Sequence, residues 1–206
     1  KDAFPWLSLR ECFIGIAPAT VMGVSFSGEL AYEIHIPNAS LYAAYLAIQK
    51  AGIEFDIKLF GARAVDTMRL EKGFLHWKAD ILTEFDPFET GLNEFVNMNK
   101  NEFIGKEALK FRQSEKCLNK LVSLEIDTKD APAHGGATVL IDNKVVGTIT
   151  SGDWGHRINK NIAYAFIKSE CSSIGTEIFV DILGEKISAE IIESCPYDPN
   201  FDIIKS

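Results

Sequence analysis

The sequence predicts an α+β fold, in which an antiparallel sheet with helices is followed by a small antiparallel β-domain. Up to about residue 115, apolar residues recur at helical spacing between glycines that can end helices. Beyond that point the hydrophobic period changes to two, which is typical of strands. We therefore predict a domain boundary near residue 115, with domains spanning 1–115 and 116–206.

The first domain is predicted to contain one hairpin and three helices. Gly28 lies between two strand-like stretches, and Gly52 and Gly73 follow helical patterns. The predicted elements are, in order, strands 21–26 and 29–34, a helix over 38–52, an extended piece at 54–57, a helix over 61–73, a structured loop at 74–102, a helix over 105–113 and a linker at 114–116.

The second domain is predicted to consist of six short strands. The dipeptides Asp142-Asn143 and Gly184-Glu185 predict two tight hairpins among them. This pattern suits a small antiparallel barrel or sandwich. The predicted strands are 118–126, 137–141, 144–151, 162–168, 177–183 and 186–193.

Composition excludes several classes of function. The chain has 206 residues and a formal net charge of −8, without a basic run, so no nucleic-acid partner is expected. Its apolar stretches are far shorter than the roughly 20 residues that span a bilayer. We expect a cytoplasmic protein without a membrane partner. The four cysteines lack the close spacing of a zinc site and are predicted to be reduced, mostly buried thiols.

Glu33 stands out in the predicted hairpin as a candidate ligand contact. Glu33 lies in a strand among apolar residues, where a carboxylate is costly unless it is paired or bound. The 61–73 helix carries three basic residues, Arg63, Arg69 and Lys72, and an acid and a base on two rigid elements can bind a flat polar ligand. The alternatives are a solvated or salt-bridged Glu33 and an Arg63 that contacts Asp66 or Thr67 along its helix.

Five ordered segments, 27–34, 63–74, 86–92, 103–109 and 146–152, together resemble the glycine-cleavage T-protein (aminomethyltransferase) family. Residues 70–80 and 155–163 are most similar to the folate-binding half of dimethylglycine and sarcosine dehydrogenases. The resemblance implies an incomplete folate-binding α+β domain followed by a small antiparallel β-barrel. It also implies that the chain is the C-terminal part of a longer protein.

The resemblance implies tetrahydrofolate-dependent transfer of a one-carbon (methylene) unit derived from an amine, performed by the longer protein and not by this fragment alone. FAD would belong only to a missing N-terminal half of a dehydrogenase, and a mitochondrial matrix location would follow in a eukaryote. The alternatives are a non-catalytic folate-binding or interaction module and a stand-alone folate-dependent demethylase.

The resemblance also implies roles for three residues. Glu33 would bind the pterin edge, Arg63 would contact the folate, and Trp77 would stack beside it, although core filling competes for Trp77. None of the three is expected to be catalytic, and no metal site is expected. Arg69 and Glu71 are predicted to brace the structure by pairing with Asp66 or with the loop after Gly73.

Overall fold

A three-stranded antiparallel sheet with helices precedes a closed six-stranded antiparallel barrel in the computed structural model, which describes residues 3–115 and 117–205. The predicted fold class is therefore confirmed. Lys116 of the predicted linker lies outside the described residues. The division of the chain at residue 115 stays a prediction.

The small sheet consists of β1 (Leu9–Ile14), β2 (Ala17–Met22) and β3 (Glu33–His35), in that spatial order. A two-residue turn joins β1 to β2, and its first residue, Gly15, has a φ of 62° that glycine adopts without strain. β3 is a short edge strand that pairs with β2 alone, so that Met22 faces Glu33.

The prediction of a hairpin around Gly28 is wrong. Residues 23–32 form a loop, and the actual hairpin, β1–β2, lies where a loop was expected. Serine side chains explain the loop, because they take backbone donors that a strand ladder would need. The N–H of Gly28 donates to Ser25 Oγ at 3.0 Å, and the N–H of Glu29 donates to Ser27 Oγ at 3.3 Å.

The three predicted helices are confirmed as α1 (Leu41–Gly52), α2 (Ala62–Lys72) and α3 (Lys106–Ser114). The extended piece predicted at 54–57 is wrong, because Ile53–Phe55 is a 3-10 turn that continues α1. Asp56 then reverses the chain with a φ of 52°, a left-handed conformation that aspartate tolerates better than most residues.

All six predicted barrel strands are present. They are β4 (Asn119–Ile126), β5 (Thr138–Ile141), β6 (Lys144–Gly155), β7 (Lys160–Lys168), β8 (Glu177–Ile182) and β9 (Glu185–Ile192). The barrel closes in the order β4-β7-β6-β5-β8-β9, so none of these strands has a free edge.

The two barrel hairpins differ in how well the sequence predicted them. The Asp142-Asn143 turn is confirmed, and both residues have positive φ. The second turn is shifted by one residue to Leu183-Gly184, because Ile182 pairs with Glu185. Positive φ at Leu183 and Gly184 gives that turn the backbone twist of a two-residue hairpin.

The buried core of the barrel is mainly aliphatic, whereas the cysteines are exposed or half-buried. Fully buried aliphatic side chains fill the barrel, among them Leu124, Val139, Ile149, Val180 and Ile191. The prediction of mostly buried cysteines is wrong, because Cys12 is exposed and the other three are half-buried. Cys12 lies on β1, whose residues are almost all exposed. The described cysteines are free thiols, as expected.

Helix α2 docks on the outside of the barrel through a buried ion pair. Arg69 Nη1 lies 2.5 Å from Asp80 Oδ2, and the two side chains are 1% and 0% exposed. Arg69 also donates to Asp66 and to the carbonyl of Phe74, so the bracing predicted for Arg69 is confirmed.

A β-bulge in β6 completes this network. The register between β6 and β7 shifts at Thr150, which allows the consecutive hydroxyls of Thr150 and Ser151 to donate to Asp80 Oδ1 at 2.5 and 2.6 Å. The Asp80 carboxylate thus joins α2, the loop after it and the barrel.

We predict that Asp80→Ala lowers the free energy of unfolding by about 3–5 kcal/mol, because it leaves the buried Arg69 guanidinium without its acid. Urea unfolding measures the change. Lys58→Ala is the control, since it removes an exposed ion pair with Asp56 and should change stability by less than about 0.5 kcal/mol. Similar losses in both variants would contradict the assignment.

Candidate functional site

Glu33 lies on the exposed side of the edge strand β3. Its side chain is 54% exposed, and its carboxylate lies 3.5 Å from His35 Nε2. The strand does not bury this acid, so the cost of burial that singled Glu33 out in the sequence is absent in this chain. The carboxylate is accessible to a ligand.

Arg63 lies in the first turn of α2 and pairs with the barrel. Its Nε lies 3.2 Å from Asp153 Oδ2 and its Nη2 lies 3.4 Å from Asp153 Oδ1. The alternative contact with Asp66 or Thr67 is wrong: Asp66 pairs with Arg69, and the Thr67 hydroxyl donates to a backbone carbonyl. The Arg63 side chain remains 76% exposed, and a ligand anion could compete with Asp153.

Trp77 lies in the loop after α2, where it forms an isolated β-bridge with Ile81. It is 64% exposed and therefore does not fill the core. None of the cavities described among residues 3–115 and 117–205 is lined by Glu33, Arg63 and Trp77 together. Their assignment as folate contacts stays a prediction.

Two cavities meet at Phe26. The first, of about 880 Å³, is largely aromatic and is bounded by Trp6, Phe26, Phe74, Phe95 and Phe201, among other residues. The rings of Phe26 and Phe74 lie nearly parallel, with centroids 6.4 Å apart. Within the described residues, the buried Nε1 of Trp6 has no hydrogen-bond partner, so this cavity has an unused donor in one of its lining side chains.

The second cavity, of about 780 Å³, lies between α2 and β6, and several charged side chains line it. Its charged and titratable lining residues are Arg63, Asp66, Arg69, His76, His134 and Asp153. The two cavities together could accommodate a ligand with a flat ring at one end and charged groups at the other. Sequence analysis did not identify His134, which comes close to α2 only through the barrel loops.

The C-terminal segment 194–205 closes one side of the aromatic cavity. Lys72, which is 1% exposed, donates to Asp198 Oδ2 at 2.8 Å and also to the carbonyl of Asp198. The Lys72 ammonium lies 4.0 Å from the centre of the Phe201 ring, a cation–π distance. A Cβ at Gly73 would lie 2.5 Å from the carbonyl of Ser194, which shows how closely the segment packs.

Cys195 belongs to this segment but is not an activated nucleophile. Burial is the main reason why the pKa of its thiol lies above the usual value. A raised thiol pKa disfavours the reactive thiolate.

Among the described residues, no group of three or more His, Cys, Asp or Glu side chains is placed to hold a metal ion. No helix within residues 3–115 and 117–205 is long and apolar enough to cross a membrane.

Two models of one protein family match the chain. Residues 1–100 match the GCVT N-terminal domain, and residues 119–198 match the glycine cleavage T-protein C-terminal barrel domain. The chain belongs to the glycine cleavage T-protein family. The family resemblance derived from the sequence motifs is therefore confirmed.

Several enzymes of this family are similar to the chain. Mitochondrial dimethylglycine dehydrogenase of Homo sapiens is 35% identical over 193 residues, which are 93% of this chain and 22% of that protein. Mitochondrial sarcosine dehydrogenase of Homo sapiens is 32% identical over all of this chain and 23% of its own length. An aminomethyltransferase of Caldanaerobacter subterraneus is 33% identical over 88% of this chain and 48% of its own length.

A crystal structure of the glycine cleavage system aminomethyltransferase T from Bartonella henselae has the same fold. It superposes with a TM-score of 0.85 at 21% identity, over 97% of this chain and 54% of that one. The chain thus spans about half the length of the aminomethyltransferases and less than a quarter of the dehydrogenases that it matches.

We predict that acid weakens the attachment of the C-terminal segment through Asp198. The hydrogen bond from Lys72 is the main reason why the pKa of Asp198 is lowered. The contact between Lys72 and ionised Asp198 therefore stabilises the attachment fully above the unfolded-state pKa of about 3.9. This stabilisation is lost as the pH falls through the lower pKa that Asp198 has in the folded protein.

The rate at which a protease removes the segment, measured from pH 7 to pH 3, tests this prediction. Asp198→Asn should be cleaved faster than the unmodified protein at pH 7, and the difference should shrink below about pH 4. The control is Asp202→Asn in the same segment, which leaves the Lys72 pair intact. A difference that is constant across the pH range would contradict the prediction.

Proposed function

We propose that this chain forms part of the tetrahydrofolate site of a one-carbon transferase. Membership of the T-protein family supports the proposal most strongly, since the similar proteins are aminomethyltransferases and dehydrogenases of N-methylated amino acids. The reaction is transfer of a methylene unit, derived from an amine, to tetrahydrofolate. Whether the complete protein also oxidises the amine depends on a flavin domain outside this chain.

The two adjoining cavities suit the chemistry of folate. Besides its pterin, folate has a planar p-aminobenzoyl ring, and the aromatic residues around Phe26 could hold that ring beside the unused Trp6 donor. Folate also carries carboxylates on its glutamate tail, and Arg63 provides a planar fork for a carboxylate beside His76 and His134. These features support folate over a wholly apolar ligand.

In this proposal Glu33, Arg63 and Trp77 bind and orient the cofactor. Glu33 would accept two N–H bonds from the amide and guanidine-like edge of the pterin, and Trp77 would stack beside the folate. Tetrahydrofolate supplies the nucleophilic nitrogens that accept the one-carbon unit. The residues of this chain align it and exclude water. Alignment of that kind can lower the reaction barrier by several kcal/mol.

The remainder of the site would come from another part of the same polypeptide. Helix α1 is rich in apolar residues, yet Leu41, Tyr42, Tyr45 and Leu46 are 43–72% exposed, and only Ala44 and Gly52 are buried. Apolar surface of this extent is typical of an interface. We propose that the covering segment corresponds to the half of the aminomethyltransferases that this chain does not match.

A non-catalytic folate-binding or interaction module is the second candidate. The exposed apolar face of α1 is compatible with it, because that surface needs a covering partner whether or not chemistry follows. Turnover of an N-methyl amine by the complete polypeptide separates the two functions. A flavin-binding fingerprint elsewhere in the polypeptide would favour the dehydrogenase over a stand-alone transferase or demethylase. We propose a location in the cytoplasm, or in the mitochondrial matrix of a eukaryote.

We predict that Glu33→Ala weakens tetrahydrofolate binding by the complete protein at least tenfold, or about 1.4 kcal/mol, because the pterin edge loses its acceptor. Isothermal titration calorimetry measures the affinity. Glu11→Ala removes another exposed acid of the same sheet, from β1, and should leave the affinity unchanged. An unchanged affinity in Glu33→Ala would exclude Glu33 from the site.

We predict that Arg63→Met lowers the affinity for a ligand that has a glutamate tail and not for one that lacks it. Tetrahydrofolate, which has a glutamate carboxylate, should bind about tenfold more weakly, while tetrahydropterin, which lacks the tail, should bind as before. Fluorescence titration with both ligands provides the comparison, with Lys50→Met as the charge-matched control on α1. Equal weakening of both ligands would mean that Arg63 does not bind the tail.

A further inference from the structure

The turn between β6 and β7 reaches away from the barrel towards α2. Its backbone is fixed by one carboxylate: Glu71 Oε1 accepts the N–H of Arg157 at 2.6 Å and the N–H of Ile158 at 3.2 Å. Glu71 is 1% exposed, and the two N–H groups of the turn provide this buried acid with the hydrogen-bond donors that it needs. This partner differs from those predicted for Glu71 from the sequence.

The Arg157 side chain contacts α2 and two other segments, the loop 23–32 and the C-terminal segment. Its Nε donates to Glu71 Oε2, its Nη2 donates to the carbonyl of Met68 at 2.5 Å, and its Nη1 donates to Glu29 Oε1 at 2.5 Å. The guanidinium carbon lies 3.8 Å from the centre of the Tyr197 ring. Burial alone would lower the pKa of Arg157, but Glu71 and Glu29 outweigh it and raise that pKa.

Glu29 is held from two sides although it is partly exposed. The Tyr197 hydroxyl donates to Glu29 Oε1 at 2.9 Å, the same oxygen that Arg157 contacts. The N–H of Tyr197 donates to the carbonyl of Glu71 at 3.0 Å, which fixes the C-terminal segment in this position. Glu29 is thus a contact between distant segments and not a solvated turn residue.

The loop 23–32 depends on these contacts because it lacks the ladder bonds of a strand. Its serines bond locally, and Gly28 packs so closely on Lys72 that a Cβ there would lie 2.9 Å from Lys72 Cγ. The loop leads directly into β3, which carries Glu33 and is held by β2 alone. Its conformation therefore sets where β3 and Glu33 lie.

We propose that Arg157 is a positioning residue through which the barrel and the C-terminal segment hold loop 23–32, and with it Glu33, in the conformation that binds ligand. Arg157 acts through Glu29 and does not touch the ligand. The identity of that ligand as tetrahydrofolate rests on the proposed function, whereas the ordering of the loop does not. The barrel thus affects ligand affinity through a residue that does not contact the ligand, in addition to the barrel residues that line the two cavities.

Hydrogen–deuterium exchange of the complete protein, without ligand, tests the ordering directly. In Arg157→Lys, whose single ammonium cannot reproduce the planar fork, amides 25–32 should exchange at least about tenfold faster, while amides of β4 and β9 stay protected. Tyr197→Phe is a milder variant that keeps the ring over Arg157 and loses only the bond to Glu29. It should accelerate the same amides about threefold.

Lys160→Met is the matched control, because it removes the neighbouring ion pair with Glu125 at the start of β7 and should leave amides 25–32 unchanged. Tetrahydrofolate affinity is measured on the same variants, and Arg157→Lys should bind at least about fivefold more weakly at an unchanged melting temperature of the barrel.

Unchanged exchange at 25–32 in both Arg157→Lys and Tyr197→Phe would overturn the proposal, as would equal acceleration throughout the barrel. Faster loop exchange with unchanged tetrahydrofolate affinity would also overturn it. If the unmodified protein does not bind tetrahydrofolate at all, the proposed function fails, and accelerated exchange confined to the loop still supports Arg157 as the residue that orders it.

Discussion

Three buried charges on one helix determine how this molecule is assembled. Arg69, Glu71 and Lys72 of α2 are each 1% exposed, and a buried charge is destabilising unless it is paired and hydrogen-bonded. Each of them finds its partner in a different segment. The partners are Asp80 in the loop after α2, Arg157 in the β6–β7 turn and Asp198 in the C-terminal segment. Helix α2 therefore brings together parts of the chain that are distant in sequence.

The same constraint explains where the cavities lie. Because α2 is fixed against the bulge of β6, the second cavity remains between them, and the aromatic cavity forms where the C-terminal segment returns over Lys72 and Gly73. Arg63, at the exposed start of the same helix, lines the second cavity. Stability and the candidate site thus depend on one element, and mutations in the second half of α2 would affect both.

Local patterns predicted most of the fold. Strands β8 and β9 show hydrophobic alternation, β7 is a continuous apolar run, and glycines end α1 and α2, so these elements could be identified from the sequence. The loop 23–32 could not, because its serines around Gly28 form side-chain bonds that no alternation pattern reveals. The family motifs indicated Glu33, Arg63 and Trp77, but the Arg157 contacts join residues 86 and 128 positions apart and depend on the folded barrel.

Native-state hydrogen exchange of the complete protein, followed across a urea series, tests most directly whether the buried charges of α2 hold these segments together. The account predicts that the amides of the last two turns of α2 exchange only with a free energy close to that of barrel unfolding, together with those of the C-terminal segment around Tyr197. If these α2 amides instead exchange through a local opening several kcal/mol below that of β7, the paired charges do not bind the helix to the barrel, and the account is wrong.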